Sequence, residues 1–163
     1  MFFLETLVVL GIKQHSSITA WMLDLFQKTL SNEVEFAGIG LHSGKESNIK
    51  VIPAKEDEGI VFKRIDLKKN NIIKADFKNV SSARLCTTLE NQLGVKVSTV
   101  EHLLAAFYIV GIDNATVEIN NEEVPIMDGS SKDFLKILKN VVLVDQSKKR
   151  KYLKISNKVE LID

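Results

Sequence analysis

Residues 98–111 do most to limit the folds open to this chain. Apolar side chains fall at Val100, Leu103, Leu104, Phe107 and Tyr108, the i, i+3, i+4, i+7 and i+8 positions that line one face of a helix. Ser98 followed three residues later by Glu101 fits a capping box, and Gly111 stands where a left-handed C-terminal residue belongs. The opposite face carries His102, Ala105, Ala106 and Ile109, small and apolar apart from one histidine. A helix apolar on both sides is expected to be covered on both.

The segments around it alternate with a period of two. Val34 and Phe36 interleave with Glu33 and Glu35 and run into the turn signal Gly38-Ile39-Gly40. Ile49 and Val51 form a second strand closed by Pro53, Ile60-Val61-Phe62 starts a third, and Val95 and Val97 flank Lys96 in another. Ala115, Val117 and Ile119 alternate with Thr116 and Glu118 in a further strand. A second helix, capped by Ser130 or Ser131, would carry Phe134, Leu135, Leu138, Val141 and Val142 on one face. Lys148-Lys149-Arg150-Lys151 reads as a basic hinge, and residues 152–155 as the opening of another strand. Strands and helices segregated in this way predict an α+β fold, a two-layer sandwich with a mixed or antiparallel sheet and its helices on one face. The expected division is an extension over 1–26, a domain over 27–146, and a hinge with the start of a second domain over 147–163.

Composition narrows the function classes. The 163 residues are 45% hydrophobic and 26% charged, which excludes a disordered chain. A formal net charge of +1 supplies no field for nucleic acid or an anionic membrane. The apolar opening 1–12 contains Glu5, has no Lys or Arg before it, and falls short of the roughly 20 residues that span a bilayer. Neither a secretory signal nor a transmembrane segment is expected there. Cys86 is the single cysteine, which excludes an internal disulfide and a cysteine-based zinc cluster and suits a reducing, cytoplasmic setting.

Chemistry has few candidates. The histidines are His15, His42 and His102, and His15 lies in the extension with no role assigned. His42 belongs to Gly38-Ile39-Gly40-Leu41-His42-Ser43-Gly44-Lys45, whose glycines could bring backbone N–H groups to a phosphate or form a tight turn. Its spacing is neither a Walker A loop nor a dinucleotide fingerprint. Glu101-His102 could be a general base beside a metal ligand, or a capping residue beside an ordinary histidine. Asp128 could cap the second helix or order a loop. Nothing near Cys86 in sequence would lower its pKa, so it is not read as a nucleophile.

Taken in order, the loop 38–45, Leu85-Cys86-Thr87, residues 98–106, Gly111-Ile112-Asp113-Asn114 and Val124-Pro125-Ile126-Met127-Asp128-Gly129-Ser130 resemble a known family. The ordered set is similar to the N-terminal half of UDP-3-O-acyl-N-acetylglucosamine deacetylases, the zinc enzymes of lipid A synthesis, over about residues 27–139. The resemblance implies two similar domains, each a sheet with helices on one face, and an active site between them. It implies that His102 is a Zn2+ ligand and Glu101 the general base in hydrolysis of the 2-acetamido group, releasing acetate. It places Leu85, Cys86, Thr87 and His42 at the substrate site and gives Asp128 a structural role in its loop. In that family the other metal ligands come from the second domain. The expected partner is therefore a second half, in cis or as a separate chain; the alternative is a catalytically incomplete remnant.

Overall fold

The computed structural model describes residues 25–152, 156–157 and 159–160. Its strands are β1 (Phe26–Leu30), β2 (Val34–Ile39), β3 (Glu46–Pro53), β4 (Ile60–Arg64), β5 (Ile72–Lys74), β6 (Val80–Ser82), β7 (Thr88–Glu90), β8 (Lys96–Val97), β9 (Ala115–Ile119) and β10 (Leu143–Lys149). The helices are α1 (Glu101–Val110) and α2 (Lys132–Leu138), and a 3-10 turn, Phe77–Asn79, precedes β6.

Alternation along β2, β3, β4 and β9 builds the main sheet, ordered β2-β3-β9-β4-β5. Register sets Phe36 opposite Ile49, Ile49 opposite Ile119, and Val117 opposite both Val51 and Phe62. Cross-strand partners share a face, so these side chains form one buried apolar surface. The other face is charged: Lys50 meets Glu35 at 2.9 Å and Lys63 meets Glu118 at 2.8 Å. The β4–β9 pair is parallel and its neighbours antiparallel, with α1 lying in the long connection between β4 and β9.

Both helices cover the apolar face. Phe134 of α2 meets Phe36 edge-to-face, with ring centroids 5.2 Å apart. Leu103, Ala106 and Phe107 of α1 are buried in the same core. The fold is thus α+β, a mixed sheet with helices on one face, as the strand spacing predicts. Two antiparallel sheets flank it, β1 with β10 and β6-β7-β8.

Several local expectations change. Helix α1 starts at Glu101, with Val100 as N-cap and no side-chain cap. Ser98 cannot close the expected capping box, because its N–H and hydroxyl donate to Glu122 O at 2.8 and 3.2 Å. The C-terminus follows expectation: Gly111 has φ +91° and donates to Phe107 O. The buried stripe is rotated by about one position. Ala106 joins Leu103 and Phe107 inside, whereas Tyr108, 85% exposed, faces out with Ala105 and Ile109. Ser131 precedes α2 without capping it, since its hydroxyl donates to His102 O at 2.8 Å.

The basic run is not a free hinge. Lys148 and Lys149 end β10, which pairs with β1. Arg150 donates to both Asp113 carboxylate oxygens at 2.8 Å and to Gly111 O at 2.6 Å, and Lys148 sits 3.2 Å from Asp57. A buried amide network fixes the same end of the molecule. Asn114 donates to Gln27 at 2.8 Å and to Gln146 at 2.7 Å, and accepts the Gly59 N–H at 2.7 Å. Residues 1–24 of the expected 1–26 extension, with His15, and residues 153–155 of the further strand lie outside the described residues, while Phe26 opens β1. Among the described residues no helix is long and apolar enough to cross a membrane.

Candidate functional site

Glu101 occupies the first position of α1, and the bond that a capping box would have used is directed elsewhere. Its Oε2 accepts the Thr87 N–H at 3.0 Å, which ties residues 85–87 to the helix start. Oε1 accepts no hydrogen bond among the described residues. One oxygen is anchored and the other is open.

The tethered segment is unusual in its backbone. Leu85 has φ +138°, a region that L side chains rarely adopt, and its side chain is 87% exposed. Cys86 is half-buried, with Sγ 3.8 Å from Thr88 Oγ1. His102 follows Glu101 and is half-buried; its carbonyl is held by Ser131, and its ring bonds to no described residue.

The glycine-rich loop places its N–H groups on an anion, and that anion belongs to the protein. Glu123, 1% exposed, accepts the His42 N–H at 2.9 Å on Oε1 and the Ser43 N–H at 2.7 Å on Oε2. Oε1 also accepts the Thr99 hydroxyl at 3.0 Å. Burial pushes the Glu123 carboxyl up, but the hydrogen bonds from His42, Ser43 and Thr99 outweigh it and hold it below its ordinary value. Gly40 has no alternative here: a Cβ would strike Ser43 Oγ and the Glu123 carboxylate. The phosphate-cradle possibility for the loop gives way to an internal carboxylate cradle.

Asp128 orders its loop and does not cap α2. It accepts from both the N–H and the hydroxyl of Ser130, at 3.0 and 2.8 Å, and Ser130 Oγ accepts the Lys132 N–H at 3.1 Å. The Ser130 hydroxyl bond holds the Asp128 carboxyl below its usual range.

Most of the segments singled out in sequence therefore converge on the start of α1. Thr87 reaches it through Glu101, the Asp128 loop through Ser131 and His102, and the His42 loop through Glu123 and Thr99. Glu123 is the residue that sequence reasoning missed. One of two adjacent glutamates in a polar turn, Asn120 to Glu123, carries no local sign that it will be buried. The clue lay in the loop it serves, whose glycines called for an anion.

A catalytic zinc takes three protein ligands and keeps one position open. Among the described residues, no three His, Cys, Asp or Glu side chains gather where they could hold a metal ion. These residues do not by themselves complete a catalytic zinc site.

Comparison with known proteins places the chain in one family. The family described as UDP-3-O-acyl N-acetylglycosamine deacetylase matches residues 27–163. A UDP-3-O-acyl-N-acetylglucosamine deacetylase of Geotalea uraniireducens is 50% identical over 138 residues, which cover 85% of this chain and 45% of the relative. Enzymes of the same name from Saccharophagus degradans and Chromobacterium violaceum are 44% and 41% identical over 137 and 139 residues. This chain covers 45% and 46% of those two relatives, respectively, so it spans less than half the length of the curated relatives it matches. With its family match, its fold and its converging motifs, the chain belongs to the UDP-3-O-acyl N-acetylglycosamine deacetylase family.

Proposed function

We propose that this chain furnishes one half of a deacetylase site that hydrolyses the 2-acetamido group of UDP-3-O-acyl-N-acetylglucosamine and releases acetate. The observation that carries the proposal is the divided role of Glu101, with Oε2 anchored on Thr87 N–H and Oε1 open among the described residues. A carboxylate so held can take a proton from an attacking water and return it to the departing amine without losing its place. Thr87, Leu85 and Cys86 would border the substrate, with His42 at the edge supplied by the glycine-rich loop. Asp128 would keep its loop in shape. The free thiol of Cys86 suits a reducing compartment, and we assign the reaction to the cytoplasm.

His102 would contribute one ligand to a Zn2+ ion, whose chemistry when bound is to polarise the amide carbonyl and acidify water. Further ligands would come from a second half corresponding to the rest of the relatives' length. The outward ridge of α1 supports such a partner: Tyr108 and Ile109 are 85% and 59% exposed, beside Ala105. No role with nucleic acid is proposed, since Arg150 and Lys148 are paired with Asp113 and Asp57.

The test is zinc per chain on the purified 163-residue protein after mild chelation and re-addition of one equivalent. A single contributed ligand gives near-zero tightly held zinc. One tightly held zinc per monomeric chain, lost in His102→Ala, would contradict the half-site and show a complete ligand set within this chain.

A further inference from the structure

Glu123 lies outside the residues expected to do chemistry, yet it joins two of their carriers. Its two oxygens receive three donors, and the donors come from different parts of the chain: His42 and Ser43 from the loop after β2, and Thr99 from the approach to α1. Thr99 is itself strained. It holds φ +58°, a left-handed conformation costly for a β-branched residue, two positions before Glu101. The rest of Glu123 is also fixed: its carbonyl accepts the Ser47 hydroxyl at 2.6 Å and its N–H donates to Asn121 at 2.8 Å. A buried carboxylate gains most from charge-assisted donors and costs most when they are removed. Its geometry is therefore sharply defined, and so is that of both segments bound to it.

We propose that Glu123 is a positioning residue that couples the His42 loop to the Thr99 turn, so that the loop and the Glu101–His102 start of α1 hold one fixed relative placement. The proposal rests on the reading of that helix start as the reactive end. Glu123 touches no reacting group; it acts through the backbone of His42 and Ser43 and the hydroxyl of Thr99. Thr99 makes no hydrogen bond to the loop itself, and the Glu123 carboxylate, which both bind, is the most direct link between them.

Amide hydrogen exchange of His42 and Ser43, read by NMR on the full 163-residue chain, tests the coupling. Thr99→Ala should speed exchange at both amides about fivefold, the equivalent of one net hydrogen bond of about 1 kcal/mol. Thr99→Ser, which keeps the donor, should restore the wild-type rates. In a Glu123→Leu background, where the shared acceptor is gone and the amides already exchange faster, Thr99→Ala should add nothing. Unchanged His42 and Ser43 rates in Thr99→Ala would overturn the proposal, as would the same acceleration with and without Glu123. If Glu123→Leu does not fold, the Thr99→Ala and Thr99→Ser pair decides alone. None of these readouts uses acetate release, so failure of the coupling and failure of the deacetylase reading are distinguishable.

Discussion

Thr87 and Glu101 meet through one hydrogen bond, Thr87 N–H to Glu101 Oε2 at 3.0 Å, across fourteen residues of chain. That contact takes the place of the helix cap that Ser98 and Glu101 would have formed together. It leaves the first turn of α1 without a side-chain cap and attaches an exposed, strained segment to the carboxylate proposed as general base.

Removing the Glu101 acceptor should release that segment and leave the core intact. Glu101→Ala should cost about 1 kcal/mol and speed exchange of the Thr87 amide, while Glu101→Gln, still able to accept, should stay within about 0.5 kcal/mol of wild type. Urea unfolding and amide exchange check both outcomes.

Helix α2 meets the sheet through an aromatic contact. Phe134 is fully buried and packs edge-to-face on Phe36. Phe134→Ala should lower stability by about 3–5 kcal/mol, because the cavity cannot close around a helix of this length. The midpoint of urea unfolding should fall with little change in slope.

Asn114 holds three strand connections at once. Asn114→Ala leaves the Gly59 N–H without its acceptor and the Gln27 and Gln146 side-chain oxygens without their Asn114 donor bonds. Each buried polar group left unsatisfied costs about 1–3 kcal/mol. The loss should exceed that of Asn48→Ala, whose side chain is exposed on the charged side of the sheet. Paired unfolding curves check the order.

Acid should weaken the molecule through Glu123. Its carboxyl in the folded protein lies below the ordinary 4.5, so both folded and unfolded states are ionised above that pH and its contribution is complete. As pH falls below 4.5, the unfolded chain takes up a proton first, and the contribution disappears as pH passes through the folded value. Glu123→Gln carries no such proton. Unfolding free energies at neutral pH and at about pH 3.5 should show a steeper fall in wild type than in the variant. Asp57, Asp66 and Asp128, also held below their ordinary values, contribute to both proteins alike.

The fold was legible where burial is periodic. Phe36, Ile49, Val51, Val117 and Ile119 announce their strands by alternation, and the structure buries all of them. The rotation of α1 was not legible. Ala106 and Tyr108 differ in size, and only the tight packing over the sheet decides that the small one goes inside. The basic run showed charge but not its partners, because Asp113 and Asp57 are remote from it in sequence. At the candidate site, motif order brought Glu101, His102, Thr87 and Asp128 to attention. Glu123 stayed hidden, since its burial follows from a loop about 80 residues away.

The most direct test of the half-site is acetate release from UDP-3-O-acyl-N-acetylglucosamine by a chimaera. In it, residues 27–163 replace the matched segment of the Geotalea uraniireducens relative, which supplies the remaining length. The expected result is turnover by the chimaera, and a fall in kcat of at least about 100-fold in its Glu101→Gln variant. A folded chimaera that releases no acetate while the parent enzyme does, or a Glu101→Gln variant with undiminished kcat, would contradict the assignment.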